Sequence, residues 1–219
     1  MTTRRALIAG AAAALVLRPG RSAALAFDGG WTAQAFPRRA ANRWRQTGAA
    51  VEVESDAAVS LLVRAVPPES RGARRAAWRW QVDAGVPATD LARKGGDDRN
   101  LSVYFVFLPE DEASRLGLGA SPRRLLAARG ARTLMYVWGG AGPRGQVLPS
   151  PYLGERGRTV ILRPGGVTGA FAEAVDLAGD HARAFGTPAQ VLVGLALSAD
   201  SDDTGGTIRA RLWDLVLAG

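Results

Sequence analysis

The chain has 219 residues, 47% of them apolar, with 28 Lys and Arg against 20 Asp and Glu, one His and no Cys. The missing thiol excludes disulfides and cysteine nucleophiles, and with a single histidine besides a zinc centre is not expected. Half of the net charge of +8 sits in the first 26 residues, as Arg4, Arg5, Arg18 and Arg21 with no acid among them. The other basic residues, such as Arg71, Arg74, Arg75, Arg123 and Arg124, lack the aromatic interleaving of a nucleic-acid face, so nucleic acid is not an expected partner.

Thr3-Arg4-Arg5-Ala6-Leu7-Ile8 reads as a twin-arginine export signal, followed by an Ala-rich stretch to Leu17 and by Ala24-Leu25-Ala26 as a cleavage site. The apolar stretch, about a dozen residues, is shorter than the ~20 needed to span a bilayer. The expectation is a leader over residues 1–26, a periplasmic or secreted bacterial location, no membrane span after cleavage, and one domain over 27–219.

Thr32 to Phe36 reads as a short strand stopped by Pro37. Val51-Glu-Val-Glu alternates, Ser55-Asp56 reads as a turn, and Val59 to Val66 reads as its hairpin partner. Trp78, Trp80 and Val82 alternate with Arg79 and Gln81, as in a strand with one buried face. Val103 to Leu108 is an unbroken apolar run, which suits a strand covered on both faces. From Pro109 to Arg132 a surface segment is expected, with Gly117, Gly119 and Pro122 opposing any long helix. Thr133–Trp138, Thr159–Arg163, Val191–Leu197 and Thr207–Leu217 read as strands. Phe171 to Phe185 shows an i, i+3, i+4 stripe that predicts a helix stopped at Gly186. The whole predicts a mostly antiparallel β-sandwich or jelly roll with one late helix.

Several of these stretches, taken in order, resemble the bacterial domain of unknown function 3047 (DUF3047) family. They are Trp78-Arg-Trp80, Lys94-Gly-Gly-Asp97-Asp98-Arg99 before Val103-Tyr-Phe-Val-Phe, Leu134-Met-Tyr-Val-Trp138, Asp180 with Phe185-Gly186, and Asp200-Ser-Asp202-Asp203-Thr204. The resemblance implies an exported bacterial protein with a lectin- or carbohydrate-module-type sandwich and no settled activity. It also implies a departure: where many members carry an Arg-Asn pair, this chain has Glu173-Ala174-Val175.

Two acidic loops are the main candidates for a site. The first holds Asp83, Asp90, Lys94 (the only lysine), Asp97, Asp98 and Arg99; the second holds Asp200, Asp202 and Asp203. Clustered carboxylates repel unless a cation sits among them, so convergence of the loops would make a site. Three readings stay open. The loops bind Ca²⁺ through oxygens; or the carboxylates and Lys94, with Tyr104 or Trp138, bind a sugar or other hydroxyl-rich ligand; or the aspartates cap turns. A non-catalytic ligand-binding module is the expected function. A hydrolase or lyase acting on an envelope polysaccharide through these aspartates and Lys94 is the alternative, and a ligand-free envelope protein the third. His181 lies on the expected helix with no G-x-S-x-G elbow, so a satisfied or solvent-facing helical histidine is expected rather than a base.

Overall fold

A computed structural model describes residues 24–116, 124–125 and 128–219. Most of the expected leader and the segment around Gly117, Gly119 and Pro122 lie outside the described residues. Among the described residues no helix is long and apolar enough to cross a membrane.

Two β-sheets stack face to face. The seven-stranded sheet contains β1 (Thr32–Ala35), β4 (Val59–Ala65), β6 (Arg99–Leu108), β7 (Arg132–Gly139), β8 (Val147–Ser150), β9 (Gly154–Arg163) and β11 (Val191–Asp200), in the order β1-β4-β11-β6-β7-β9-β8. The five-stranded sheet contains β2 (Arg43–Gln46), β3 (Ala50–Asp56), β5 (Arg75–Ala84), β10 (Gly169–Asp176) and β12 (Thr207–Ala218), in the order β10-β5-β12-β3-β2. Every named pair is antiparallel except β7 with β9. Helix α1 (Glu110–Leu116) follows β6, and helix α2 (Leu177–Phe185) follows β10. The protein is a mostly antiparallel β-sandwich of jelly-roll type, as its alternating patterns predict.

The inner faces make the core. Trp78 and Trp80 of β5 project inward as expected and meet Phe105, Tyr136 and Trp138 from the facing sheet. Such rings pack edge-on or tilted because of their quadrupoles, and each contributes some 1.5–3 kcal/mol through burial. The unbroken run of β6 is covered on both sides: Leu101, Val103, Phe105 and Phe107 face the core. Val106 and Leu108 face outward under α1 and Leu125.

Two expectations need correction. The strands β3 and β4 are not a hairpin: β3 pairs with β2 and β12, whereas β4 pairs with β1 and β11 in the other sheet. Ala57, at φ 46, turns the chain from one sheet to the other. The expected helix over Phe171–Phe185 is a helix only from Leu177. Residues 169–176 form β10 on β5, with Phe171, Glu173 and Val175 turned toward the core. Glu173 supplied the wrong signal, because a buried acid breaks the apolar alternation of a strand. Asp176 accepts from the Gly179 N–H and starts the helix there.

The chain from Ala24 to Trp31 is stitched into the fold. The Leu25 N–H donates to Leu215 O, Leu25 and Phe27 are buried, and Ala26 O accepts from Trp31 Nε1 and Arg64.

Candidate functional site

The register of two neighbouring strands fixes where the acidic loops meet. β6 begins at Arg99 and β11 ends at Asp200, and antiparallel pairing sets these residues opposite each other. The loop entering β6 and the loop leaving β11 therefore emerge at the same end of the sandwich. Arg99 also pairs with Gly139 of β7, where a Cβ would lie 2.6 Å from the Arg99 Cβ. Glycine at 139 lets the Arg99 backbone approach that closely.

Beside this junction, on the outer face of the seven-stranded sheet, lies a cavity of about 430 Å³. The outward residues of successive strands form its floor: Leu61 of β4, Ala196 and Ser198 of β11, Tyr104 of β6, Met135 of β7 and Thr159 of β9. Leu91 of the β5–β6 loop and Leu153 close its sides. Tyr152, 58% exposed, stands at the mouth.

One end of the cavity is polar. Arg99 Nη1 donates to the Asp97 carboxylate at 2.9 Å and lies 3.2 Å from Asp200 Oδ2, while Nη2 donates to Tyr104 Oη at 3.0 Å. Tyr152 Oη donates to the other Asp97 oxygen at 3.1 Å. Arg39 forms an ion pair with Asp202. Two groups in this lining have no hydrogen-bond partner: Ser198 Oγ, on a residue with no exposed surface, and Asp200 Oδ1, on a residue 7% exposed. Burial pushes the Asp200 carboxyl up to about 8; Arg99 opposes this, and the adjacent Asp202 and Asp98 add to it. Burial and the neighbouring Asp202, Asp98 and Asp97 also raise the Asp203 carboxyl, and burial and Asp97 raise the Tyr152 phenol.

The nine aspartate, lysine and arginine positions singled out in the sequence separate into distinct roles, and Asp83 stands apart from the rest, exposed near the end of β5 and accepting from Gln81 Nε2. Asp97, Arg99, Asp200 and Asp202 line the cavity. Asp98 is fully buried, and its carboxylate accepts from the Asp203 N–H, the Thr204 N–H and the Thr204 hydroxyl. It ties the first loop to the second. Asp203 is exposed and supplies one of those donors. The Lys94 Nζ lies 5.7 Å from the Tyr152 ring centroid, on the rim. Asp90 is exposed and caps the Ala92 N–H.

For a divalent cation, carboxylate oxygens of Asp98, Asp202 and Asp203 lie within 4.8 Å of one another. The fit is poor, since Asp98 already accepts three hydrogen bonds and Asp202 pairs with Arg39. Trp138, expected as a sugar-stacking ring, is fully buried in the core and donates to Val167 O. His181 is buried, as a satisfied histidine would be, with Nδ1 2.9 Å from Thr187 O.

Sequence reading missed Tyr152, Ser198 and Arg39. Ser198 carried a signal: Ala196, Ser198 and Asp200 alternate with Leu195, Leu197 and Ala199, marking a polar outer stripe on an otherwise apolar strand. Tyr152 and Arg39 are turn residues brought to the cavity only by the fold.

Solved structures of similar overall layout include a cellulase derived from the Cel12A cellulase of Rhodothermus marinus, 14% identical, covering 90% of this chain and 95% of that one at a TM-score of 0.48. The xyloglucanase domain of NopAA, a type three effector from Sinorhizobium fredii in complex with cellobiose, is 11% identical, with 86% and 92% covered and a TM-score of 0.46. A family 12 xyloglucanase from Bacillus licheniformis is 10% identical, with 90% and 100% covered and a TM-score of 0.40. No curated protein matches the chain in sequence. The family described as "Protein of unknown function (DUF3047)" matches residues 29–216, nearly the whole described fold, and the chain belongs to that family.

Proposed function

We propose that the chain is an exported, non-catalytic carbohydrate-binding protein whose ligand lies in the outer-face cavity, against the Tyr152 ring and the polar end at Asp97, Arg99 and Asp200. One observation carries this reading: a cavity of about 430 Å³ combines an apolar floor with a polar end at Asp97, Arg99 and Asp200, and the exposed Tyr152 ring stands at its mouth. A sugar ring has an apolar face that rests on aromatic and aliphatic side chains, and an edge of hydroxyls that donate to carboxylates. The volume falls within the ~300–1,000 Å³ usual for small-ligand sites. The leader-like N-terminal sequence supports export.

The test is calorimetric titration of the processed protein with neutral oligosaccharides such as cello- and xylo-oligomers, alongside an assay for new reducing ends. Saturable binding without product, weakened in Tyr152→Ala, is the expected result. Failure of all the oligomers to bind would overturn the reading.

One observation favours a hydrolase or lyase as a second reading. Asp200 is a buried carboxyl raised toward neutral pH beside a second carboxyl, Asp202, which is the setting of a general acid. Reducing ends released by the wild type and not by Asp200→Asn would establish it.

A further inference from the structure

We propose that the sugar this cavity takes is a neutral glycoside carrying an alkyl or acyl chain, with the chain laid along the apolar floor and the sugar at the mouth beside Tyr152. The proposal rests on the carbohydrate reading above and deepens it.

The two outer faces of the sandwich differ. On the five-stranded sheet, outward side chains are charged or polar and pair across strands: Arg43 with Glu54, Arg45 with Glu52 and Arg211 with Gln81. That is the usual solvated face of an antiparallel sheet. On the seven-stranded sheet, the outward side chains instead form a second apolar cluster that includes Leu61, Tyr104, Met135 and Ala196. Register sets Ala196 opposite Tyr104, Tyr104 opposite Met135, and Met135 opposite Thr159, so these residues make one row across the strands. Leu61 of β4 lies diagonally across from Ala196 and extends the row. From β4 to β9 there are four strand spacings of about 4.8 Å, which makes the floor a trough of roughly 19 Å.

The polar atoms of the lining are spent on one another. Asp97 is bonded to Arg99 and Tyr152, Arg99 also to the Tyr104 hydroxyl, Asp202 to Arg39, and Ser150 Oγ to the Leu153 N–H. Ser198 Oγ and Asp200 Oδ1 lack partners but are closed to water. The charges balance as well. Arg39 and Arg99 match the carboxylates of Asp97 and Asp202, and the Asp200 carboxyl, pushed up to about 8 by burial, keeps its proton at neutral pH. The wall therefore calls for no ion. What stays open is hydrocarbon: Val59, Leu61, Tyr104 and Met135, all lining the cavity, each keep between 6% and 9% of their surface exposed.

A sugar ring pressed onto this floor would give up the water on its hydroxyls to side chains that return no hydrogen bond. An alkyl chain loses nothing there and gains by covering the exposed hydrocarbon. Leu61, Leu91, Leu153 and Met135 are flexible and conform to a chain. The exposed rings that suit a sugar face, Tyr152 and Phe36, stand on the rim.

Calorimetric titration of the processed protein with hexyl, heptyl and octyl β-D-glucosides, each below its micellar concentration, tests this. Tetraethylene glycol monooctyl ether carries the same octyl chain on a head that is not a sugar. The wild type is expected to gain about fourfold in affinity per methylene, hence about fifteenfold from hexyl to octyl glucoside. It is expected to bind octyl glucoside at least about tenfold more tightly than the octyl ether. Leu61→Asn is expected to weaken octyl glucoside by about tenfold or more, while still binding cello-oligomers, which also reports that the variant is folded. Affinity that does not rise with chain length, with cello- or xylo-oligomers bound, overturns the chain and leaves the carbohydrate reading standing. A rise with chain length, but with the octyl ether bound as tightly as octyl glucoside, overturns the sugar head and the carbohydrate reading with it. No binding of any probe or oligomer overturns both. Unchanged affinity for octyl glucoside in Leu61→Asn overturns the assignment to this floor. The chain-length series alters the ligand alone, so the chain is tested even if the variant fails to fold.

Discussion

Asp200 makes stability fall as pH rises, and replacing it should remove that slope. Burial and the neighbouring Asp202 push its carboxyl up to about 8, whereas in the unfolded chain an aspartate loses its proton near pH 4. Between those values the folded state keeps a proton that the unfolded state has released. Stability therefore declines with rising pH by up to about 1.4 kcal/mol per pH unit and levels off above the folded pKa. His181 acts with the opposite sign. Burial lowers its pKa below 6.5, so its contribution grows as pH rises to that value and is constant beyond it. The interval from about pH 6.5 to 8 thus reports Asp200 with the histidine silent, and the loss across it is about 2 kcal/mol. With urea slopes of about 1–3 kcal/mol/M, this displaces the unfolding midpoint by roughly 1 M. Urea titrations at the two pH values check this in wild type and Asp200→Asn. The wild-type midpoint is expected to fall and the variant's to stay, leaving the variant the more stable protein at pH 8. Parallel behaviour would show that the carboxyl is already ionised in the fold, and the reasoning about its environment would be wrong.

Other expectations follow from the same side chains. Glu173 has no exposed side-chain surface and accepts from Trp80 Nε1, Arg144 and Arg163. Glu173→Ala should cost about 3 kcal/mol in urea unfolding, the low end for breaking a buried pair because both arginines reach solvent, and Glu173→Gln should cost less. Asp98→Ala removes the acceptor of three hydrogen bonds that join the loops; it should destabilise by roughly 2–4 kcal/mol, and hydrogen exchange at the Thr204 amide should accelerate. Calcium and chelator should leave the melting temperature of the wild type unchanged, since the donors around Asp98 and Arg39 at Asp202 already satisfy the cluster; a rise with calcium would overturn that assignment. If the leader is removed, the cut should fall at or before Ala24–Leu25 rather than after Ala26, because Leu25 is buried and hydrogen-bonded to Leu215. Mass spectrometry of the exported protein reads this directly.

Where apolar periodicity was the whole signal, the sequence was legible. Trp78 and Trp80 on one face, the double-sided burial of Val103–Leu108 and the central position of Val191–Leu197 all follow from which residues avoid water. The β10 segment was not legible, because its inward positions are Phe171, Glu173 and Val175, and the Glu173 charge is compensated by arginines from β9 and the β7–β8 connection. That compensation is invisible along the chain. The β3–β4 connection failed for a related reason: a turn signal at Ser55-Asp56 shows that the chain reverses, not which sheet it enters. The acidic loops were identified from composition, but composition does not distinguish an aspartate that accepts backbone donors from one that faces a cavity.

That distinction is the physical centre of the site. Asp97 and Asp98 are adjacent, and along an extended backbone successive side chains point to opposite sides. Asp97 turns toward the cavity and is held by Arg99 and Tyr152. Asp98 turns away and is enclosed by the amides of the second loop. Asp200 and Ser201 divide in the same way: Asp200 faces the cavity, while the Ser201 hydroxyl bonds to Ser55 and Ala58 inside the fold. At each loop, then, one residue locks the strand ends together and its neighbour presents a carboxyl to the cavity. The locking residues have all their partners within the chain. On the outward stripe of β11, Ser198 Oγ and Asp200 Oδ1 lack such partners and are closed to water, and that burial is what pushes the Asp200 carboxyl up to about 8.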